Sequence, residues 1–520
     1  MLPARMLDAQ TVKVDSLTGA TVSSGAIKNA VSQALKAAGC DLGKLPSAER
    51  TEIATADKAA ETVDCDIVIV GAGGAGMTAA ISAKQAGKNV IIVEKMPYIG
   101  GNTTKASGGM NAAGTKKQEA AAEAEEDADK KAALEDSTVE NYIADTMKGG
   151  HDINDIELVT TMAENSSDAV DWLESIGAPL PLIAATGGTV HYYLHEPEDG
   201  SAVGEFLVKS YRQILDDLGI QVMLETKATE ILSADGRVTG ITAESYDTVY
   251  TINAKAVILA TGGFGANFDM LSSFDPSLAN AVTTNTPAAT GDGIVLAQAL
   301  GADTVDLEQI QLHPTVYQAS GLLVSERLRS NGAILVNKEG KRFTNDLATR
   351  DAVSQAELQQ TDGTAYIVYD AKYAEEKLYQ KYVTNGITVS ADTVEDLGKA
   401  LGFDDEGVAN FAAAVEDWNK VCAGEKEDEF GRNNGLVSLD EAPYTAIMIA
   451  PGIHHTMGGV KINTSAEVMN KDGEAIPGLF AAGEVTGGVH GGNRIGGNAV
   501  ADIVVFGRIA SESAVAYCGE

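Results

Sequence analysis

The sequence predicts an α/β fold in which strands and helices alternate. Two observations support this prediction at the start of the main domain. An apolar run at 65–70 leads directly into a glycine-rich turn at 71–76, and an Ala-rich helical segment to Gly87 then precedes a second apolar run at 89–93. This is the order strand, turn, helix, strand of a Rossmann-like βαβ unit. The chain of 520 residues is long enough for further domains.

The glycine-rich turn gives the first prediction of a ligand. Gly71, Gly73 and Gly76 have the spacing G-x-G-x-x-G, which permits a tight turn and lets a pyrophosphate approach the N-terminus of the following helix. Glu94 ends the second strand, where an acidic side chain can accept hydrogen bonds from an adenosine ribose. The glycine spacing alone is weak evidence, but the complete unit in this order indicates a dinucleotide site.

Further glycine-rich loops extend the expected ligand site. They lie at 100–109, at 260–265 directly after a third apolar run, and at 483–488. Loops so far apart in the sequence suit a long ligand that lies across a whole domain, which favours FAD over NAD. Each loop taken alone could also be a structural turn, because glycine is common wherever the backbone has to bend sharply.

Changes in composition divide the chain into segments. A small unit at 1–45 is followed by a polar, Ala-rich linker at 46–62. The pattern of the FAD-binding domain covers 63–306 and returns at 454–520. Residues 307–453 contain more irregular polar helices, so we predict an inserted α+β clamp domain here. The active site would then lie between the two domains, where closure of the clamp excludes water.

The overall composition argues against several classes of function. The formal net charge of -36 would repel nucleic acid and anionic membranes, so an anionic substrate requires a local cationic pocket. The four cysteines show no C-x-x-C or C-x-x-C-H pattern, so we predict neither a metal site nor a haem attachment. No apolar run has the length of a membrane-spanning helix, and no signal peptide is visible.

The strings around these loops resemble the flavoprotein family of fumarate reductases, succinate dehydrogenases and L-aspartate oxidases. Within it, the chain is most similar to soluble flavocytochrome c and urocanate reductase-like enoate reductases. The resemblance implies FAD contacts from Gly71, Gly73, Gly74, Ala75, Gly76, Glu94, Lys95, Gly101, Asn102, Thr103, Ser107, Gly108, Gly109, Thr261, Gly262, Asp292, His455, Glu484, Asn498 and Ala499. Succinate dehydrogenases attach FAD through a His where this chain has Asn102, so we expect non-covalent FAD.

Basic residues in turn-rich strings resemble the active site of the same family. The resemblance implies that His313, Ser325 and His454 bind the substrate and that Arg494 clamps it over the flavin. A cationic cluster suits this chemistry, because hydride addition to a C=C bond builds negative charge on the neighbouring carbon and its carboxylate. Arginine is suited to grip a carboxylate through two parallel hydrogen bonds.

The resemblance also implies a route for the proton. With hydride delivered from FAD N5, Arg350 would protonate the other alkene carbon, and Glu326 and Arg329 would restore its proton. An arginine acid is unusual, because guanidinium scarcely loses its proton in proteins. The implied reaction is reduction of fumarate to succinate in anaerobic respiration, or reduction of a close dicarboxylate. His313 favours a second carboxylate, since urocanate reductases carry Tyr there.

Several alternatives remain open from the sequence. The same machinery could reduce urocanate, itaconate or methacrylate. The chain could also be an oxidase or dehydrogenase of the same fold, such as an aspartate oxidase or a ketosteroid dehydrogenase. A flavin-storage or electron-carrier protein is the non-enzymatic alternative, and it predicts bound flavin that no substrate reoxidises.

The N-terminal unit resembles a second flavin-binding family. Its string DSLTGAT at 15–21 matches the pattern D-x-x-[ST]-G-A-T, in which a flavin transferase joins FMN phosphate to the last residue, here Thr21. Covalent FMN would pass electrons to FAD from a quinol-linked cytochrome or a flavoprotein. Such domains are usually longer than this unit, so we expect the chain to begin inside the domain, with any signal upstream. The family implies a location outside the cytoplasmic membrane.

Overall fold

A mostly parallel six-stranded sheet lies at the centre of the fold. The computed structural model describes residues 2–14, 21–46, 54–373 and 377–519. The elements are given first in chain order, and the sheets that they form follow.

Up to residue 306, the helices are α1 (Leu2–Ala9), α2 (Thr21–Ala37), α3 (Gly74–Gln85), α4 (Lys116–Ala124), α5 (Ala128–Glu135), α6 (Val139–Gly149), α7 (Ile156–Glu164), α8 (Ser166–Ser175), α9 (Val203–Asp217), α10 (Phe268–Phe274) and α11 (Asp292–Ala299). The strands are β1 (Ala59–Asp64), β2 (Ile67–Val70), β3 (Val90–Val93), β4 (Met110–Asn111), β5 (Leu182–Ala184), β6 (Leu194–Glu196), β7 (Gln221–Met223), β8 (Lys227–Ala234), β9 (Arg237–Glu244), β10 (Thr248–Asn253), β11 (Ala256–Leu259) and β12 (Thr304–Val305).

From residue 307 onward, the helices are α12 (Arg327–Ser330), α13 (Arg350–Leu358), α14 (Lys377–Thr384), α15 (Val394–Ala400), α16 (Asp405–Cys422) and α17 (Asn498–Tyr517). The strands are β13 (Ile310–Tyr317), β14 (Leu322–Leu323), β15 (Ile334–Val336), β16 (Ala365–Tyr369), β17 (Val389–Ala391), β18 (Tyr444–Thr456), β19 (Gly459–Val460), β20 (Glu467–Met469) and β21 (Ala475–Ala481).

The central sheet has the strand order β20-β21-β11-β2-β3-β7. The pairs from β21 to β7 are parallel. Strands β2, β3 and β11 consist of four buried apolar residues each, because helices cover both faces of a parallel sheet. Helices α3 and α17 pack closely, since a Cβ on Gly507 would lie 2.9 Å from the Ala75 carbonyl oxygen. The predicted Rossmann-like α/β fold is confirmed.

A second sheet belongs to the inserted segment and has the order β14-β13-β18-β16-β15, with β17 paired to β18. Alternate residues of its strands face opposite sides, as the strand geometry requires. Ile334 and Val336 pack with Trp418 in one apolar cluster. Leu335 between them packs with Tyr382 in the cluster on the other side. Helices therefore cover this sheet on both faces as well.

Strand β18 continues from the inserted segment into the FAD-binding part. It pairs with β16 at 445–449 and with β13 at 450–456. The domain boundary that the sequence predicts between 453 and 454 therefore falls inside a strand. The end of β18 carries His454 and His455. It pairs with β13 of the inserted segment, and Thr284 Oγ1 of the FAD-binding part lies 2.8 Å from His454 Nδ1, so both domains contribute to the placement of His454.

The predicted linker at 46–62 contains part of strand β1. Ala59–Asp64 pairs in parallel with Thr248–Asn253 of β10, at the edge of a four-stranded sheet. The linker is therefore shorter than predicted. Strand β1 cannot be recognised from the sequence, because its side chains are mostly exposed and show no apolar alternation. Only its backbone pairing defines it.

The N-terminal unit contains helix α2, which ends two residues before Gly39. Helix α2 ends at Ala37, and Gly39 has a φ of +82°, which suits the left-handed residue after a helix. The side chain of Arg5 donates two hydrogen bonds to the Glu225 carboxylate, at 2.8 and 2.9 Å, and so joins α1 to the main domain. Residues 15–20 of the predicted flavinylation string lie outside the described residues, and α2 begins at Thr21.

None of the helices in the described parts of the chain combines the length and the apolar character needed to cross a membrane.

Candidate active site

The glycine-rich turn between β2 and α3 forms the first part of the site. Gly71 has a φ of +107°, and a Cβ there would lie 2.4 Å from the Ala260 carbonyl oxygen. A Cβ on Gly76 would lie 2.0 Å from the Gly71 carbonyl oxygen. A Cβ on Gly73, by contrast, would meet none of the described atoms within 4 Å, because Gly73 lines a cavity of about 100 Å³. This cradle at the N-terminus of α3 fits a pyrophosphate.

The same cavity continues to the end of β3. Glu94 accepts hydrogen bonds from the backbone N–H groups of Ala72 and Met96, both at 2.8 Å. Burial raises the pKa of the Glu94 carboxyl, although these hydrogen bonds oppose the shift. Lys95 and Asp292 form an ion pair at 2.8 Å on the cavity wall. A buried, partly satisfied carboxylate at this point fits the hydroxyl groups of a ribose.

The predicted cofactor residues that line this smaller cavity are Gly71, Gly73, Gly74, Ala75, Glu94, Lys95, Gly101, Asn102, Thr103, Thr261, Gly262, Asp292 and Glu484. Gly76 lies behind them in the packing of the turn.

A larger cavity of about 300 Å³ adjoins the smaller one. The two share Asn102, Thr103, Glu484 and Ile503, so together they form one elongated path. The predicted cofactor and substrate residues that line the larger cavity are Asn102, Thr103, Ser107, Gly108, Gly109, His313, Ser325, Glu326, Arg350, His454, His455, Glu484, Arg494 and Ala499. An extended dinucleotide with its redox-active ring in the larger cavity fits this path.

Polar groups at the junction of the cavities also fit FAD. Glu484 accepts hydrogen bonds from the backbone N–H of Thr456 at 3.1 Å and from Asn102 Nδ2 at 3.3 Å. Burial raises the pKa of the Glu484 carboxyl. His455 lines the larger cavity, yet its buried Nε2 atom has no hydrogen-bond partner among the described residues. Buried polar atoms are normally paired, so this one points to a bound ligand.

Three side chains form a hydrogen-bonded chain that leads out of the larger cavity. Arg350 Nη2 donates to Glu326 Oε2 at 2.7 Å, and Arg329 Nη2 donates to Glu326 Oε1 at 2.8 Å. Burial alone would raise the pKa of Glu326, but the charges of Arg350 and Arg329 lower it to about 2. Glu326 is therefore ionised at neutral pH. Arg329 lies behind the cavity wall and is completely buried.

Gln311 connects two of the arginines, and sequence reasoning missed it. Its Oε1 atom accepts hydrogen bonds from Arg350 Nη1 at 3.1 Å and from Arg494 Nη2 at 3.4 Å, while its Nε2 atom donates to the Arg494 carbonyl oxygen at 2.8 Å. Burial and the neighbouring Arg350 lower the pKa of Arg494 to about 9, so Arg494 remains charged at neutral pH. The position of Gln311 two residues before His313 was the available signal, because a strand places such residues on one face.

His313 on β13 and His454 on β18 face each other with ring centroids 4.9 Å apart. Burial lowers the pKa of both imidazoles well below the ordinary value, so both are neutral at neutral pH. His313 Nδ1 accepts a hydrogen bond from the Thr315 backbone N–H at 3.2 Å, so its proton is on Nε2. That Nε2 atom is buried without a partner in the described part of the chain. It can therefore donate to an anionic ligand in the cavity.

Ser325 and Asn498 are two further predicted site residues whose side chains contact other parts of the protein. Ser325 Oγ lies 3.2 Å from Ser107 Oγ, so the clamp touches the flavin-side loop here. The side chain of Asn498 points into the protein, where its Oδ1 atom accepts hydrogen bonds from Asn111 at 2.7 Å and from Tyr142 at 3.0 Å. Asn498 thus fixes the start of α17, and the next residue, Ala499, reaches the cavity wall.

The fold, the joined cavities and the cationic cluster define an FAD-dependent oxidoreductase. The chain belongs to the family described as FAD binding domain, whose model matches residues 66–500. A model described as FMN-binding domain matches residues 3–36. The predictions of both flavin-binding families are thus confirmed.

Relatives of the chain include several reductases. It is 43% identical to the fumarate reductase (cytochrome) of Shewanella frigidimarina over 480 residues, which is 92% of this chain and 81% of that protein. It is 43% identical to the NADH:fumarate oxidoreductase of Klebsiella pneumoniae over 513 residues, 98% of this chain. The chain spans about half of the Klebsiella protein, namely 53%. Identity to the urocanate reductase of Eggerthella lenta is 35% over 98% of this chain and 83% of that protein.

A solved structure of a related protein has the same fold. The open conformation of a flavocytochrome c3 fumarate reductase matches with a TM-score of 0.72 and 42% sequence identity, over 88% of this chain and 79% of that one. The predicted resemblance to the fumarate reductase flavoproteins is therefore confirmed.

Proposed function

We propose that the chain reduces the C=C bond of a small unsaturated dicarboxylate, and that this substrate is fumarate, which becomes succinate. One observation carries the proposal. The hydrogen-bonded chain Arg350–Glu326–Arg329 opens into the same cavity as His313, His454 and Arg494. A proton route and an anion site thus converge on one place in a flavoprotein.

The charges around the cavity support an anionic substrate. The charged side chains that act on His313 and His454 are Arg350, Arg494 and the buried Arg329, together with the carboxylate of Glu326. The surroundings of these two histidines are therefore cationic within a chain whose net charge is -36. Neutral His313 and His454 add N–H donors without adding charge. This combination suits two carboxylates better than one, because each can find its own donors.

The same groups account for catalysis. Bound FAD would supply the hydride. Arg494, held by Gln311, would stabilise the negative charge that develops next to the reacting carbon. Arg350 would give a proton to the other carbon, and the ionised Glu326 would pass it a replacement from Arg329. Because each transfer runs along an existing hydrogen bond, Arg350 need not stay deprotonated.

The test is anaerobic reoxidation of the dithionite-reduced protein, followed through the flavin absorbance. The panel contains fumarate, urocanate, itaconate and methacrylate. We expect rapid reoxidation by fumarate and much slower reoxidation by the other three acids. Urocanate and methacrylate have only one carboxylate for His313, His454 and Arg494 to bind, and in itaconate the C=C bond does not join the two carbons that carry the carboxylates. Rapid reoxidation by a different member of the panel would keep the chemistry and overturn the substrate. No reoxidation by any of them would favour an oxidase or an electron carrier.

We further propose that electrons reach FAD through FMN, which a flavin transferase attaches to Thr21. The string at 15–21 and the FMN-binding domain match at 3–36 support this step. The proposed donor is a quinol-linked cytochrome or a flavoprotein, at a site outside the cytoplasmic membrane.

Mass spectrometry of the chain, coexpressed with a flavin transferase, tests the attachment of FMN to Thr21. We expect a mass increase equal to one esterified FMN in the native chain and in Ser24→Ala, and none in Thr21→Ala, because only the hydroxyl of the last residue of the string can form the phosphoester. Equal modification of Thr21→Ala would place the flavin elsewhere.

A further inference from the structure

Helix α13 carries a second ionisable side chain on the same side as Arg350. Glu357 follows Arg350 by seven residues, which is two helical turns, so both side chains project from one face. Val353 and Ser354 lie between them on that face and are buried. The helix packs against β13 and β18, the strands that carry His313 and His454. Glu357 is therefore part of the interior behind the candidate active site.

Glu357 is unusual because nothing in the described structure satisfies its carboxyl group. The residue is 0% exposed, and neither carboxyl oxygen has a hydrogen-bond partner among the described residues. Burial raises the pKa of Glu357 well above the ordinary value, so the group is protonated at neutral pH. A buried, unpaired carboxyl group lowers the stability of the fold. Its presence therefore suggests a role other than stability.

The charged neighbour of Glu357 is Arg329, the inner member of the hydrogen-bonded chain. Arg329 Nη1 donates to the Asp346 carbonyl oxygen at 2.6 Å, and Nη2 donates to Glu326. Arg329 Nε is buried and, within the described ranges, has no partner. The Glu357 carboxyl and Arg329 Nε are thus two buried, unpartnered polar groups whose residues interact electrostatically, and one buried water between them would satisfy both.

We infer that Glu357 supplies protons to Arg329 through a single buried water and so extends the route to Glu357–Arg329–Glu326–Arg350. The inference rests on the proposed function. In each turnover Arg350 gives one proton to the substrate carbon, and Glu326 and Arg329 each pass one proton forward. Arg329 regains its proton from the Glu357 carboxyl, and the resulting carboxylate takes one from solvent. The net result is one proton moved from solvent to substrate.

The surroundings of Glu357 fit this order. The elements packed on α13 contribute His313 and His454, which are neutral, while Glu326 and Asp346 contact Arg329 itself. Arg329 is thus the cation that Glu357 faces. The next residue, Leu358, is 49% exposed, so the last turn of α13 lies close to solvent. Glu357 itself is fully buried, one residue before this exposed position.

Glu357→Gln and Glu357→Leu test the inference on the full FAD-loaded chain. Three quantities are measured: the infrared band of a protonated carboxyl group at pH 7, the thermal midpoint Tm, and kcat for fumarate from pH 6 to 9. We expect a protonated-carboxyl band in the difference spectrum between the native protein and each variant, because any contribution of Glu94 or Glu484 is common to both and cancels. We expect an unchanged or higher Tm, an unchanged KM and a kcat about 10-fold lower, within the usual range for lost proton transfer. Asp362→Asn, which changes an exposed acid beyond the same helix, serves as control.

The pH profile distinguishes proton supply from a structural role. Because the protonated form is the donor, native kcat should fall as pH rises through the pKa of Glu357, and this fall should be absent from both variants. Glu357→Asp should recover part of the rate. A missing infrared band in the difference spectrum, or native kcat in Glu357→Gln, overturns the inference alone. A native protein that turns over none of the enoates overturns the proposed function and the inference together.

Discussion

Arg350→Met should lower kcat for fumarate by a factor on the order of 10³ to 10⁴, within the range expected when a general acid is lost along with its charge. Arg350 contacts Glu326 through two nitrogens, at 2.7 and 3.2 Å, and Gln311 through the third. Methionine fills a similar volume but can neither donate a proton nor balance the Glu326 charge. Flavin content and reduction by dithionite should stay native, because Arg350 lies on the substrate side of the cavity. Stopped-flow reoxidation of the reduced flavin measures the effect.

The control for this variant is Arg212→Met, which removes an exposed arginine from α9. Arg350→Lys is a stricter comparison, because lysine keeps the charge but cannot reproduce the planar, multidentate geometry of the guanidinium. We expect it to lose most of the activity as well. A kcat within threefold of native in Arg350→Met would remove Arg350 from proton transfer and direct attention to His313 or His454 as the acid.

Arg432→Met should reduce the free energy of unfolding by about 3–5 kcal/mol, which is the usual cost of removing one partner of a buried ion pair. Arg432 pairs with Asp346 at 3.1 Å, and both side chains are 0% exposed. It also donates to the Arg329 carbonyl oxygen at 2.7 Å and lies over the Trp418 ring at 4.3 Å from the centroid. Removing it leaves Asp346 with Arg342 alone among its guanidinium partners in the described structure. Urea unfolding of the FAD-loaded protein measures the change.

Arg508→Met provides the matched control for this second variant. Arg508 also lies over a tryptophan ring, that of Trp172, at 5.7 Å from the centroid, but its ion pair with Glu512 is at the surface. Surface pairs contribute about 0–1 kcal/mol, so this variant should be close to native. The double variant Arg432→Met with Asp346→Asn should be less destabilised than the sum of the single changes, because each single change already breaks the ion pair that the two residues form. Additive losses would show that the two residues act independently.

The sequence allowed prediction of those parts of the fold and site that local patterns encode. The turn at 71–76 could be predicted because its glycines are required by close backbone contacts. A Cβ on Gly76 would clash within the turn, and a Cβ on Gly71 would clash with the end of the neighbouring strand. Strand β1 could not be predicted, since its exposed side chains carry no alternation. Gln311 and Glu357 were missed for a related reason. The importance of both comes from arginines that tertiary packing brings next to them. The spacing from His313 places Gln311 on the same strand face, but it reveals neither Arg350 nor Arg494.

Strand β18 gives the clamp a mechanical connection to the redox centre. Its 13 residues pair with β16 in the inserted segment and with β13 as far as Thr456, with no loop between, and the pairing with β13 shifts register at two places. His454 and His455 thus lie on the same continuous strand that forms part of the clamp sheet, so a tilt of the clamp would displace both side chains. Neighbouring residues of one strand face opposite ways, so His454 moves with the substrate side and His455 with the flavin side. The position of the clamp and the alignment of these two rings are therefore coupled.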